Sequence, residues 1–153
     1  MRQLRRTDRG LSPAETRQLL EQGEYGILST VDNQGQPYGI PLSYAYRNDC
    51  IYFHCALSGH KLDNLAANQR ICFSVVGRTE LLPAEFATRY ESALAFGQAT
   101  EIVGEERLNA LRWLVEKYSP DFQAEGEEYI AQQQRATRVI KITIDQLSGK
   151  ARR

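Results

Sequence analysis

The side chains best suited to chemistry lie close together in one stretch of the chain: His54, Cys55, His60 and Lys61. An imidazole can ligate a metal or transfer a proton, a thiolate can attack an electrophile, and an ammonium group can bind phosphate. The order of these residues along the predicted elements decides which of the three chemistries the stretch favours.

The basic pair His60 and Lys61 stands where the pattern changes from strand to helix. Residues 51–55 alternate in the period-two manner of a strand, and Leu62, Leu65 and Ala66 follow at helical spacing. Unpaired N–H groups and a partial positive charge mark a helix N-terminus. Two basic side chains there favour a phosphate-binding site, although an exposed basic turn that binds nothing has the same pattern.

Zinc and thiol chemistry are less well supported by the same stretch. The cysteines and histidines lack the short, regular ligand spacing of zinc sites. His54 and Cys55 are adjacent on a strand and therefore face opposite ways. Nothing in the sequence brings Cys55 and His60 to a shared site, and a cysteine is more often a small buried hydrophobe. We therefore predict no metal site and no cysteine nucleophile.

General acid–base catalysis has no distinctive signature. Four carboxylic acids are candidates for this role: Asp63, Glu85, Glu91 and Glu101. None of them has a partner residue at a distinctive sequence spacing. Neither a G-x-G-x-x-G fingerprint nor a P-loop is present. Catalytic residues therefore remain unassigned.

A second strand, predicted over residues 36–46, carries Pro37 and Pro41. Proline cannot donate to a sheet ladder, so this strand should be irregular and lie beside something other than another strand. A flat, phosphorylated cofactor would use both features, with its ring along this backbone and its phosphate on the basic helix start. Flavin mononucleotide (FMN) fits that description.

The remaining pattern predicts one domain over residues 1–153, in the order α-β-β-β-α-β-β-α-β. Residues 1–11 form a charged N-terminal arm, and Ser12-Pro13 begins the first helix. The other predicted segments are strand 25–31, strand 70–77, a connection over 78–90, strand 91–103 with a bulge or a close backbone approach at Gly97, helix 104–118, a weak helix over 125–134 and strand 137–144. Hairpin-linked strands ahead of the first internal helix favour an antiparallel sheet or small barrel with helices outside.

Composition narrows the function classes. Lys+Arg 19 balances Asp+Glu 19, so net charge gives no support for nucleic-acid binding. No apolar run approaches the length of a membrane helix, and the basic N-terminus lacks the apolar core of a secretory signal. Three cysteines suit reduced thiols better than a disulfide framework. We expect a cytoplasmic protein with no nucleic-acid or membrane partner.

The chain resembles the pyridoxamine-5′-phosphate-oxidase-related, FMN-binding split-barrel superfamily, and within it the nitroimidazole-reductase-like branch. The most specific resembling segment is YFHCALSGHKLDNL, and weaker ones precede and follow it in the family order: RRTDRGLS, YGILST, GQPYGIPLSYAY and YESALAFGQATEI. The resemblance implies a mainly β fold, a six-stranded antiparallel split barrel with flanking helices. It also implies a homodimer with FMN in clefts between the subunits.

The resemblance also implies roles for particular residues. Lys61 corresponds to a basic phosphate ligand, and His60 stands where the oxidases typically have arginine. His54 and Cys55 correspond to strand residues near the flavin and its ribityl chain. The implied ring-lining residues are Ile40, Pro41, Leu42 and Ser43, and Ser92 corresponds to a position that often contacts flavin across the interface.

One departure from the family pattern argues against the activity of the oxidases themselves. The oxidases carry an arginine motif for the substrate phosphate near the C-terminus, and this chain ends RVIKITIDQLSGKARR without it. Pyridoxamine-phosphate oxidation is therefore not expected.

Two functions remain open from the sequence. The first is an FMN-dependent reductase that takes electrons from a reduced nicotinamide or another donor and passes them to a small acceptor such as a nitroaromatic. The second is a non-catalytic flavin or haem carrier or sensor on the same barrel, in which His54 or His60 could ligate iron. Three tyrosines are candidate pocket aromatics, though packing in the core or an interface is the commoner role: Tyr44, Tyr46 and Tyr90.

Overall fold

A single antiparallel sheet of seven strands dominates the computed structural model, which describes residues 4–153. The first three residues of the predicted arm, including Arg2, lie outside the described range. The strands are β1 (Gly26–Val31), β2 (Pro37–Leu42), β3 (Ala45–Arg47), β4 (Cys50–Cys55), β5 (Arg70–Leu82), β6 (Ala87–Ile102) and β7 (Arg138–Arg152). The helices are α1 (Pro13–Gln22), α2 (His60–Ala67), α3 (Gly104–Tyr118) and α4 (Gln123–Gln133). The predicted mainly β fold with flanking helices is confirmed.

The strand order, β2-β1-β5-β6-β7-β4-β3, puts two consecutive segments of chain at opposite edges of the sheet. β2 pairs with β1, whereas β3 pairs with β4. Only residues 43–44 separate β2 from β3, so the sheet must curl round until its edges meet. The result is a barrel that is split between β2 and β3.

The predicted second strand, residues 36–46, is therefore two strands, and the sheet has seven strands rather than six. Pro37 and Pro41 both lie within β2 and suit an edge strand, because an edge strand is paired on one side only. Tyr44 follows directly and is fully buried, with its hydroxyl donating to the carbonyl oxygen of Leu20 in α1. The chain changes partner strand where this tyrosine enters the core.

Two hydrophobic clusters lie on the two faces of β4. Ile51, Phe53 and Cys55 pack inside the barrel, and Cys50 and Tyr52 pack under the helices on the outer face. The predicted half-buried strand is thus covered on both sides along most of its length. The exception is His54, which is exposed at the outer face.

Local start signals place the helices well. Ser12 forms a capping box with Glu15, and Pro13 occupies the first turn of α1. The predicted helix 104–118 is confirmed as α3, and the weak helical pattern over 125–134 corresponds to α4. No helix within the described residues is long and apolar enough to span a membrane.

The predicted connection over residues 78–90 is wrong, because these residues continue β5 and β6 as a long hairpin. The ladder runs on from Thr79 opposite Tyr90 to Leu82 opposite Ala87. Pro83 lies in the short 3-10 turn at the tip. The residues of this arm lack a clear alternation because both of its faces lie largely open to solvent, so the periodic signal of a half-buried strand is missing.

The last strand also extends further than the predicted residues 137–144. β7 continues to Arg152 past a bulge at Asp145, which is the extra residue opposite the step from Phe96 to Gly97. The predicted irregularity at Gly97 is confirmed. Residues 10–11 add to β7, since Leu11 N–H donates to the carbonyl of Gly149 at 3.0 Å.

We predict that Gly97→Ala destabilises the fold by roughly 2–3 kcal/mol, because the added methyl group would collide with the backbone carbonyl of Thr143. Chemical denaturation measures the change. Gly39→Ala is the matched control, since its methyl group would meet Ile27 and Ser29 only at ordinary contact distances of 3.6 and 3.7 Å. Equal stability of the two variants would contradict the close packing of β6 against β7.

Candidate functional site

Helix α2 begins with an uncapped basic turn. Gly59 has a φ of +145°, a conformation that residues with a side chain rarely adopt, and it provides no side-chain cap. Its carbonyl accepts from Leu62 N–H at 3.0 Å and Asp63 N–H at 3.1 Å. The amides of His60 and Lys61 precede these bonds and have no backbone acceptor in the helix. This end of α2 therefore presents positive charge from both backbone and side chains.

The buried side of α2 orients that turn. Leu65 packs into the barrel core, and the buried Asn64 side chain donates from Nδ2 to the hydroxyl of Thr30 in β1 at 3.0 Å. The predicted apolar spacing included Ala66, which is exposed, and did not include Asn64. The sequence did contain a signal for the burial of Asn64: it lies next to Leu65, on the helix face that must meet the barrel.

The ring of His60 stacks against Tyr38, with ring centroids 3.9 Å apart and planes tilted by 30°. This contact joins the start of α2 to the start of β2. From the sequence, only a hypothetical cofactor linked these two elements. In the structure they are in direct contact. Tyr38 was not among the predicted site residues, and a tyrosine flanked by Pro37 and Gly39 gave no distinctive signal.

His54 and Cys55 lie at the end of β4 and face opposite ways, as expected of neighbours on a strand. Cys55 packs in the barrel core, and burial raises the pKa of its thiol. His54 faces the helices, and partial desolvation together with the charge of Lys61 lowers the pKa of its imidazole. The charge of Lys61 acts on both residues, so all three lie near one another at this end of the barrel.

The predicted ring-lining residues lie where the chain leaves β2. Ile40 and Leu42 are partly buried against the barrel core, whereas Pro41 and Ser43 are exposed. β2 is an end strand, and in the described chain one side of its backbone has no strand partner. Backbone groups and small side chains, with Gly39 among them, are therefore open to a flat ligand along this edge.

Ser92 lies apart from these residues within one chain. It pairs with Val76 and Lys150 on the far part of β6, and its hydroxyl donates to the carbonyl of Lys150 at 3.5 Å. Its predicted contact with a flavin requires a second copy of the chain. The structure of one chain does not bring it to α2.

Three tyrosines considered as pocket aromatics have structural contacts instead. Tyr44 is fully buried, and Tyr46 donates from its hydroxyl to Asp49 Oδ1 at 2.7 Å. Tyr90 lies on the hairpin, with Lys150 Nζ 5.9 Å from its ring centroid. None of the three lies at the α2 end of the barrel.

The donor set at this end suits a phosphorylated planar group. Uncapped amides, Lys61 and His60 favour an anion, and the edge of β2 leads away from them toward Ser43. Within residues 4–153 no group of three or more His, Cys, Asp or Glu side chains is arranged to hold a metal ion. The site therefore offers groups that can bind and orient such a ligand.

A family model described as pyridoxamine 5′-phosphate oxidase matches residues 12–151. None of the curated proteins matches the chain.

Several solved structures share the split-barrel fold. A proposed 5-nitroimidazole antibiotic resistance protein from Bacteroides thetaiotaomicron is 24% identical, with 93% of this chain and 86% of that chain covered and a TM-score of 0.77. The flavocytochrome Anf3 from Azotobacter vinelandii is 24% identical over 99% of this chain and 72% of that chain, with a TM-score of 0.80. An FAD-binding protein from Mesorhizobium loti is 22% identical over 95% and 98%, with a TM-score of 0.68.

We predict that His54 titrates below the ordinary histidine value of 6.5 and that Lys61→Gln raises its pKa toward that value. Burial is the larger cause of the shift, so the pKa in the variant stays below 6.5. Because the folded-state pKa is lowered, protonation favours the unfolded chain, and this group's contribution to stability is lost as the pH falls through 6.5.

NMR titration of the imidazole signals measures this shift. The chain has two histidines, so His54→Gln assigns the signals. Lys150→Gln is the control, since Lys150 lies on β7 near Tyr90 and its removal should leave His54 unchanged. A wild-type pKa at or above 6.5 would refute the electrostatic description of the site.

Proposed function

The chain belongs to the pyridoxamine 5′-phosphate oxidase family, and on that basis we propose that it is an FMN-binding oxidoreductase that reduces small acceptors such as nitroaromatics. The observation that carries the proposal is the uncapped basic start of α2 beside the unpaired edge of β2. Resemblance to a proposed 5-nitroimidazole resistance protein supports the acceptor class. Reduced thiols at Cys50, Cys55 and Cys72 support a cytoplasmic site of action.

In this proposal, the start of α2 binds the phosphate. Lys61 supplies the charge that neutralises a phosphate, and the amides of His60 and Lys61 supply donors aligned with the helix dipole. The His60 ring is held against Tyr38, so it fixes the turn in place. Cys55 lies at the end of β4, ahead of this turn, with its side chain in the barrel core.

In this proposal, residues 40–43 orient the flavin ring. Ile40 and Leu42 anchor the strand in the core, while Pro41 and Ser43 face outward along the edge. Backbone groups without a strand partner can hydrogen-bond the polar rim of a flavin. A flavin supplies the electron or hydride transfer, and the chain holds it against the acceptor and the donor.

The absence of an acid–base pair among the described site residues suits this chemistry. The lowered pKa keeps His54 neutral near pH 7, so it can donate or accept a hydrogen bond without adding charge. Oxidation of pyridoxamine phosphate is not proposed, because the C-terminal arginine motif of the oxidases is missing.

We also propose that the protein acts as a homodimer with Ser92 of one copy near the flavin of the other. The face of β5 and β6 that bears Ser92 exposes Val76, Leu94 and Phe96 at 57%, 36% and 39%. Exposed apolar patches of this kind mark interaction surfaces. Size-exclusion mass determination distinguishes a dimer from a monomer.

The carrier or sensor function is the second candidate. A flavocytochrome shares the fold, and His54 presents a neutral imidazole at the protein surface. The visible spectrum separates the two candidates, since an FMN protein has two broad flavin bands and a haem protein has a sharp Soret band. A flavin spectrum with no bleaching by a reduced nicotinamide and a nitroaromatic acceptor would favour the carrier.

We predict that Lys61→Ala weakens FMN binding at least about tenfold, because a charge-assisted phosphate contact is lost. Fluorescence titration of the flavin-free protein measures the dissociation constant, and riboflavin, which has no phosphate, should bind both proteins equally. Arg112→Ala is the control, because it removes a cation from an exposed ion pair on α3 at 2.7 Å from Glu127. An unchanged FMN constant in Lys61→Ala would exclude the phosphate role, and wild-type protein that takes up no FMN would exclude the proposed function.

A further inference from the structure

The end of α3 holds the chain where it passes from one edge of the sheet to the other. Tyr44 lies between β2 and β3, outside the ladders of both strands. Its backbone N–H donates to the hydroxyl oxygen of Tyr118 at 3.0 Å, and its carbonyl accepts from Lys117 Nζ at 3.0 Å. Lys117 and Tyr118 are the last two residues of α3. Two side chains therefore satisfy backbone groups that lie outside the sheet ladder.

The hydroxyl of Tyr118 has two carbonyl oxygens within reach but only one proton to donate. The oxygen of Glu24 is 2.6 Å away and that of Tyr44 is 3.2 Å away. The shorter contact takes the proton, so Tyr118 donates to Glu24, between α1 and β1, while it accepts from Tyr44. The carbonyl of Tyr44 then depends on Lys117, whose Nζ also lies 3.8 Å from the centroid of the Tyr44 ring. The two residues therefore have separate tasks, and neither replaces the other.

These bonds fix the two peptide planes on either side of the Tyr44 Cα. The buried ring anchors the Cα itself, whereas each plane can still rotate about it. The Tyr44 N–H shares a plane with the Ser43 carbonyl, and their peptide bond is trans, so the two groups point in opposite directions. Because the N–H points at Tyr118, the Ser43 carbonyl points away from α3. Ser43 is exposed, so this carbonyl is an acceptor at the open end of the β2 edge.

From this geometry we propose that Tyr118 and Lys117 are positioning residues that aim the Ser43 carbonyl at the ring of the bound flavin, where it accepts a hydrogen bond from the imide N–H of that ring. This role rests on the proposed function, because that function assigns the edge of β2 to a flavin. A carbonyl of fixed direction favours a ring with an N–H donor over one without it, since a polar group left without its partner loses binding energy. The end of α3 thereby contributes to ring selectivity without touching the ligand.

Riboflavin and 3-methylriboflavin test this role on the flavin-free full chain, because the methyl group replaces the imide hydrogen and neither compound has a phosphate for the start of α2. Fluorescence titration of the wild type should show about tenfold tighter binding of riboflavin. Tyr118→Phe should weaken riboflavin about fivefold and leave 3-methylriboflavin within about twofold. Lys117→Met should act in the same direction and decides the comparison if Tyr118→Phe does not fold. Tyr46→Phe is the matched control, since its hydroxyl donates to Asp49 at 2.7 Å in the β3–β4 turn instead of bonding to the end of α3.

Amide hydrogen exchange followed by NMR tests the hold on the backbone without any flavin. The Tyr44 amide should exchange at least about tenfold faster in Tyr118→Phe, because its acceptor is gone. An unchanged exchange rate overturns the positioning role, whatever the flavin affinities are. Faster exchange with equal losses for the two flavins, or with no loss, also overturns it and leaves the proposed function standing. Wild-type protein that binds neither flavin removes the proposed function together with this role.

Discussion

A sheet whose two edges are consecutive pieces of the chain cannot stay flat. β2 and β3 are separated by residues 43–44, yet they end the sheet on opposite sides. The sheet therefore closes on itself, and the two edges meet at a split rather than along a ladder. Tyr44 fills the core at that point and its hydroxyl donates to the carbonyl of Leu20 in α1, so the change of strand partner is anchored in the core.

The site follows from the split. Because β2 pairs only with β1, its other side is open, and α2 closes the barrel end next to it. The stacking of His60 on Tyr38 joins these two features, and the hydrogen bond from Asn64 to Thr30 fixes the helix that carries Lys61. The proposed anion site and the open backbone edge are thereby joined by contacts within the chain.

Electrostatics at this end of the barrel depend on few groups. The chain has no net charge, so attraction of a phosphate relies on local arrangement rather than on an overall field. Uncapped amides of α2 add to Lys61, while burial keeps His54 neutral and the thiol of Cys55 protonated. The charge of Lys61 also lowers the pKa of the His54 imidazole, so this cation acts on the outer face of β4 as well as on the start of α2.

The amino-acid sequence by itself determined the elements with a local cause. Capping at Ser12, the irregularity at Gly97, the helix from Gly104 and the basic start of α2 all have a sequence signal within a few residues. Local patterns missed the hairpin over residues 78–90 and the extension of β7, because pairing between distant strands stabilises them without an apolar alternation. Only the tertiary structure decided that residues 36–46 contribute strands to both edges of the sheet. It also decided that Tyr38 contacts His60 and that His54 borders a cavity formed by α3 and α4. Each of these contacts joins residues far apart in sequence, and closure of the barrel is the physical event that brings them together.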